Sequence, residues 1–279
     1  MAISDNETKL RYIMLTQMKG LGPVTQKALL CICGDIETCF ALDYADLIKA
    51  DSERMIGKRR IESFIEQRKD KNLWKQAEEI LHLSESEDIH VITYENIDFP
   101  ERFKSIKDSP AVLYARGKLK INSYIHTVGI VGARRCTMEG KKEAIDIANM
   151  AVTANFAVIS GMAKGIDSYA HTAVIKSSGY TIAVLGNGVD ICYPKEHQRL
   201  YEEIAEHGCV LSEYPPGTLP REFNFPKRNR LIAGLSDKLY VIDAGRNSGT
   251  LSTVNYSKKY DREVIMCSES INRILLPKF

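Results

Sequence analysis

The chain has no stretch approaching the roughly 18 consecutive apolar residues that a membrane-crossing helix needs, so no span is expected. Its first residues, MAISDNETKL, offer neither a basic n-region nor an apolar core, so no signal peptide is expected. Net charge is also scarce: 38 Lys and Arg against 36 Asp and Glu leave +2 over 279 residues. That balance excludes a general attraction to nucleic acid, and any such contact must come from basic residues gathered locally. The seven cysteines are odd in number and include no CxxC pair. A disulfide framework is therefore not expected, and a reducing cytoplasm is the simpler location. Cys31, Cys33 and Cys39 lie close together, but no histidine is near enough to complete a metal set, so they read as small apolar residues buried on helices. Two nucleotide motifs are missing as well. There is no GxxxxGK[ST] loop, and Gly186-Asn187-Gly188 lacks the third glycine of GxGxxG. ATP- or NAD-driven chemistry is disfavoured and no cofactor is expected.

What the chain does contain is a change of texture. Residues 7 to about 83 read as helical, with Leu10, Ile13, Met14 and Met18 near helical spacing and further helices through Trp74, Ile80 and Leu83. The polar run 84–88, SESED, is a plausible linker. This predicts a small all-α domain over 1–85 and a second domain over 89–279. In the second, short apolar runs alternate with helical stretches such as Glu139–Thr153 and Ile166–Ser177. The expected strands include Thr127–Val131, Ala157–Ser160, Thr181–Leu185, Cys209–Ser212, Lys238–Asp243 and Glu263–Cys267. Alternation at this rhythm, with strands apolar on both faces, predicts an α/β fold: a Rossmann-like parallel sheet with helices on both faces.

Glycines follow successive strands: Gly132, Gly161, Gly186, then Gly245 and Gly249. In open α/β sheets the ligand site lies at those carboxyl ends, where backbone amides and helix N-termini suit phosphate. The same turns carry cations: Arg134 and Arg135 after the first strand, and Lys164 in Ser160-Gly161-Met162-Ala163-Lys164-Gly165. The segment 219–230, LPREFNFPKRNR, has a net charge of +3 and interleaves Phe223 and Phe225 with its cations. Cations along a backbone beside rings for stacking are what single-strand binding requires. The plainer alternative is a solvated basic loop with buried phenylalanines. Asp167 and His171 share a helix face and read as a helix-start carboxylate with a histidine packed below it, in preference to an acid–base pair. Cys192, His197 and His207 lack ligand spacing. Gly20-Leu21-Gly22-Pro23 is similar to a helix-hairpin-helix turn, although a plain interhelical turn is preferred.

Taken in order, the stretches IDFPERFKSIKDSPAVLYARGKL, VGIVGARR, VISGMAKGIDSYAH, TIAVLGNGVDICYPKEH, LSEYPPGTLP, FPKRNRLIAGLS and VIDAGRNSGTLST resemble the DNA-processing protein A family (DprA, also called Smf) over about residues 97–265. The helical part resembles the sterile-alpha-motif-like domain of many members. The resemblance implies an extended Rossmann fold that is not an enzyme. It also implies binding of single-stranded DNA without sequence preference, loading of the RecA recombinase during natural transformation, and a homodimer. Residue reading and resemblance together give a DNA-binding set of Gly132, Arg134, Arg135, Ser160, Gly161, Lys164, Gly165, Phe223, Phe225, Lys227, Arg228, Asn229, Arg230, Ser248 and Gly249. The chain departs from the family after the last strand, where MCSESINRILLPKF replaces a VPG turn and a TNxLI helix, with Asn272–Leu275 as a shortened counterpart; the winged-helix domain of some members is not seen. The competing expectation is a nucleotide-processing enzyme of the phosphoribohydrolase group. That group shares a Gly-Thr turn, here Gly249-Thr250, but wants a glutamate where this chain has Thr253.

Overall fold

The computed structural model describes residues 5–245 and 249–267. They form two compact units. One holds the described residues up to Phe99 together with Lys104–Leu113, and the other holds Pro100–Phe103 and the described residues from Tyr114 onward.

The first unit contains α1 (Asp5–Gln17), α2 (Pro23–Cys33), α3 (Ile36–Ala41), α4 (Tyr44–Ala50), α5 (Lys58–Gln67), α6 (Lys71–Ser86) and β1 (His90–Thr93). Its core is built from Ile13, Met14 and Leu15 with Leu29, Ile36, Leu47 and Phe64, all fully buried. Phe40 meets Phe64 edge to face at 5.5 Å and Trp74 at 5.9 Å. Cys39 is buried among them, but Cys31 is exposed and Cys33 half-buried, so the expectation of three buried cysteines holds for one. The run 84–88 is no linker. Ser84 is fully buried and donates its hydroxyl to the Ile80 carbonyl at 2.7 Å, so the polar side chain is satisfied inside the helix and α6 continues to Ser86.

After α7 (Glu101–Lys104), β2 (Val112–Gly117) leads into the second unit. There follow β3 (Thr127–Gly132), α8 (Met138–Thr153), β4 (Ala157–Ser160), α9 (Ile166–Lys176), β5 (Thr181–Val184), α10 (Gln198–His207) and β6 (Cys209–Ser212). The last elements are α11 (Asn224–Leu235), β7 (Lys238–Ile242), α12 (Thr250–Lys259) and β8 (Glu263–Met266). The sheet order here is β2-β6-β5-β4-β3-β7-β8, parallel throughout except for β2 against β6. Every residue of β4, β5 and β6 is buried, as strands covered on both faces must be. α8 approaches the sheet on a stripe of small residues, Gly140, Ala144, Ala148 and Ala151, and packs with α9 over Val128, Ile130 and Val158. This is the Rossmann-like α/β architecture expected from the alternation.

Order in space runs backwards from β6 to β3 and then jumps to β7, so the strand order reverses between the parallel strands β3 and β7. Both strands are fixed there at their starts. Asp237 accepts from Arg102 Nε and Nη2 at 3.2 and 3.1 Å and from the Thr127 amide at 2.9 Å. Burial raises the Asp237 pKa, but Arg102 and Thr127 outweigh it and hold the carboxyl below its usual value. A carboxylate depressed in the folded state contributes stability above its unfolded pKa, about 3.9, and loses it as pH falls through the folded value. Urea midpoints measured at neutral and acid pH should therefore show a smaller acid-induced loss for Asp237→Asn than for the parent, from a lower starting point. An unchanged acid limb would remove this clamp from the stability of the sheet.

Candidate nucleic-acid interface

At the carboxyl ends of β3 and β7, where the order reverses, lies an open cavity of about 830 Å³. An open α/β sheet offers a ligand crevice at this place for a topological reason: the helices on either side depart to opposite faces. The 132–135 turn, the first turns of α9, α11 and α12, and Asp243 and Gly245 after β7 all contribute to its wall. Three helices thus present their positive ends to one space. Gly165, at φ +79°, makes the turn into α9 possible, and a Cβ there would stand 2.3 Å from the Ala133 carbonyl oxygen.

The cations around this cavity divide into two kinds. Arg134 and Arg135 are exposed on its rim. Arg228 is buried in its floor, donating from Nη1 to the carbonyls of Gly161 (3.0 Å) and Val184, and from Nε to Asn229 Oδ1 at 3.1 Å. Burial lowers its pKa to about 10, still well above neutrality. Beside it Asp167, also buried, accepts from the amides of Gly161 (3.0 Å) and Ala163 (3.4 Å). Burial raises the Asp167 pKa, and the Arg228 charge and these amides pull it back. His171 is fully buried, with Nδ1 2.7 Å from Thr181 Oγ1, and burial pushes its pKa down to about 3, so it is neutral at physiological pH. Asp167 thus sits at the start of α9 with its carboxylate on backbone amides, and His171 is packed one turn further along the same helix.

The structure corrects the picture of a free basic loop at 219–230. From Asn224 the segment is helical, and Asn224 and Arg228–Arg230 are among its buried residues. Arg230 is paired with Glu213, and Asn229 Nδ2 donates to the Gly249 carbonyl (3.1 Å) and Ser252 Oγ (2.7 Å). Ser160 is fully buried, its hydroxyl turned to the Ile130 carbonyl. Lys164 is exposed but ion-paired with Glu196. Gly132 and Gly161 leave no room for a ligand to replace a Cβ: at Gly132 that atom would meet the Ile242 carbonyl oxygen at 2.1 Å, at Gly161 the Arg228 guanidinium at 2.7 Å. Gly249 lines the cavity, and among the described residues nothing lies within 4 Å of where its Cβ would be. Ser248 and the 272–275 stretch lie outside the described residues. Sequence spacing does not reveal which arginine has a carboxylate or carbonyl waiting for it in the fold.

The rings also separate. Phe223 is 56% exposed, with Lys227 Nζ 5.2 Å and the Arg221 guanidinium 6.0 Å from its centre. Phe225 is half-buried across Gly186 and stacks on Tyr193, with centroids 5.4 Å apart and planes at 23°. Phe225 and Tyr193 both line the cavity, and Tyr193 is 42% exposed. Sequence reasoning missed Tyr193. Its only signal was an aromatic residue in the ICYPKEH loop after a sheet-end glycine pair.

The family model described as DNA recombination-mediator protein A matches residues 90–275. The chain belongs to that family. It is 35% identical over 268 residues to Protein Smf of Synechocystis, covering 95% of this chain and 66% of that protein. It is 37% identical over 183 residues to DNA processing protein DprA of Bacillus subtilis, covering 66% and 62%. The chain thus spans about two thirds or less of the length of these curated relatives. Among solved structures, DNA processing protein A of Streptococcus pneumoniae superposes with a TM-score of 0.76 at 30% identity, over 97% of this chain and 89% of that one. The Helicobacter pylori protein, whose structure concerns a single-stranded DNA binding mode, superposes at 0.60 with 31% identity over 67% and 84%.

Arg228 and Asp167 are neighbouring buried charges of opposite sign, and removing one of two such charges leaves the other uncompensated, at a cost of up to about 3–5 kcal/mol. Arg228→Met should destabilise the chain by that order in urea unfolding, and Asp167→Asn added to it should recover part of the loss. Strictly additive losses would show that the two groups do not interact.

Proposed function

We propose that this chain binds single-stranded DNA without sequence preference, delivers it to a RecA-type recombinase as a homodimer in the cytoplasm, and performs no chemistry on it. The observation that carries this reading is the cavity at the sheet reversal, whose rim holds two exposed arginines and whose wall holds a stacked pair of aromatic rings. Phosphates are served by Arg134 and Arg135, by Lys164 once it exchanges Glu196 for a phosphate, and by the positive ends of α9, α11 and α12. Unpaired bases are served by Tyr193 and Phe225, because every base offers a face to stack. Phe223 with Lys227 extends the surface outside the cavity. Arg228, Asn229 and Arg230 act by holding the floor in shape. Rim cations and stacking rings meet phosphates and base faces, not base edges, which suits indifference to sequence. The H. pylori relative supports the choice of ligand. Thr253, in the cavity wall where the phosphoribohydrolase reading wants a carboxylate, supports the absence of turnover.

For single strands, log affinity falls with log salt by about 0.7 per neutralised phosphate. Arg134→Ala and Arg135→Ala should each weaken binding for all sequences alike and flatten that slope by about 0.7 for each phosphate left without its arginine. Titrations at several salt concentrations check this, and a parental slope in both variants would take the rim out of the site.

Tyr193→Ala should weaken single-strand binding by about 1–3 kcal/mol while leaving the salt slope unchanged. Tyr193→Phe should bind like the parent. If Phe fails as badly as Ala, the ring does not meet the base and the stacking reading fails.

A further inference from the structure

The helices of the first unit begin in two different ways. Aspartates cap α3, α4 and α6: Asp35 accepts from the Thr38 amide, Asp43 from that of Asp46 and Asp70 from that of Asn72. α2 and α5 follow Gly22 and Gly57 instead, with no side-chain cap and no acid in the first turn. At α5 the contrast goes further. The segment 54–60, RMIGKRR, places Arg54, Lys58, Arg59 and Arg60 within seven residues without an acid among them, in a chain whose net charge is only +2. All four are exposed, and none has an ion-pair partner among the described residues. Glu62, the nearest acid on α5, accepts from Tyr44 Oη at 3.2 Å, and Glu53 is exposed beside the segment. Cations in the first turn oppose the positive end of a helix, so folding alone gives no reason to collect them there.

The turn that presents them is held rigidly from beneath. Asp51 is buried, and its carboxylate accepts from the amides of Ile56 (3.2 Å) and Gly57 (3.0 Å). Gly57 sits at φ +83° with nothing within 4 Å of where a Cβ would be. It serves the turn and leaves the space in front of the patch open. The segment also carries no aromatic ring, and its one exposed apolar side chain is Met55. Single-strand recognition needs rings for unstacked bases. A cationic patch with no ring in its own segment, the nearby Tyr44 being tied to Glu62 by its hydroxyl, suits a polyanion whose bases are already stacked and whose phosphates are closely spaced, one charge per roughly 1.7 Å in a duplex.

We propose that the Arg54–Arg60 patch binds the phosphate backbone of paired DNA, a nucleic-acid surface separate from the cavity of the second unit. It draws on the proposed function only for the nature of the polymer. The test uses the intact protein and fluorescence anisotropy with a blunt-ended duplex and with a single strand, each over a range of salt. The R54Q/K58Q/R59Q/R60Q variant should lose roughly tenfold or more in duplex affinity and flatten the duplex salt slope by about 0.9 for each phosphate no longer neutralised, with single-strand affinity unchanged. K58Q/R59Q, a milder change at exposed positions, should show part of the same loss, and melting curves confirm that both variants fold. Arg134→Ala/Arg135→Ala should do the reverse, weakening the single strand and sparing the duplex. Retention of single-strand binding by that variant sinks the cavity reading and leaves the patch standing. The patch proposal is overturned if the parent does not bind duplex, or if the glutamine variants bind it like the parent. It is also overturned if polyglutamate competes for the patch and duplex does not, which would assign it to an acidic protein segment.

Discussion

The guanidinium of Arg228 is the joint on which the carboxyl edge of the sheet depends. From α11 it reaches the carbonyls that follow β4 and end β5, and it lies beside the Asp167 carboxylate on α9. Elements from both faces of the sheet therefore meet at one charged group shielded from solvent. Such a pair is costly to bury and costlier to break, so its value lies in geometry rather than in net stability. It fixes the floor of a cavity whose rim carries the exposed Arg134 and Arg135.

This division explains how a nearly neutral chain leaves exposed cations at the rim of a cavity whose own lining is balanced, three arginines against three carboxylates. Arg228 and Arg230 are absorbed by the fold, Lys164 is held by Glu196, and Arg134 and Arg135 remain on the rim. The three carboxylates of the wall, Asp167, Glu222 and Asp243, lower the potential inside the cavity. Asp243 is itself occupied, accepting from the Thr137 amide and hydroxyl at 2.8 Å each. Positive charge is thus open at the rim and offset in the depth, while the stacked rings of Tyr193 and Phe225 give the wall a flat apolar face.

Much of the scaffold was legible before any coordinates. The six strands from Thr127 onward fall within a residue of their expected ends, because strands buried on both faces are unbroken apolar runs bounded by glycine or polar residues. The helical start of LPREFNFPKRNR was not legible, since Pro226 suits a first helical turn as well as a loop. Nor was the fate of its arginines. Whether a cation faces solvent or a buried carbonyl is decided by elements more than 40 residues away, as Arg228 and Val184 show. Tyr193 escaped notice for the same reason: its meaning comes from Phe225, which is distant in sequence and adjacent in space. Exposed Cys31 shows the converse limit, a small residue whose helix face no local pattern distinguishes.

The reversal between β3 and β7 has a consequence for how the chain matures. Thr127 and Asp237, which bind each other at the start of those strands, are 110 positions apart. Pairings of such long range carry a large loop-closure cost, which favours forming the local βα units first. On a ribosome the segment from β3 to β6 can condense into half a sheet while its central strand still shows an open edge, until α11 and β7 arrive to cover and pair it. The groove's wall is thus drawn from both ends of the second unit, and a chain that stops before α11, β7 and α12 lacks most of it.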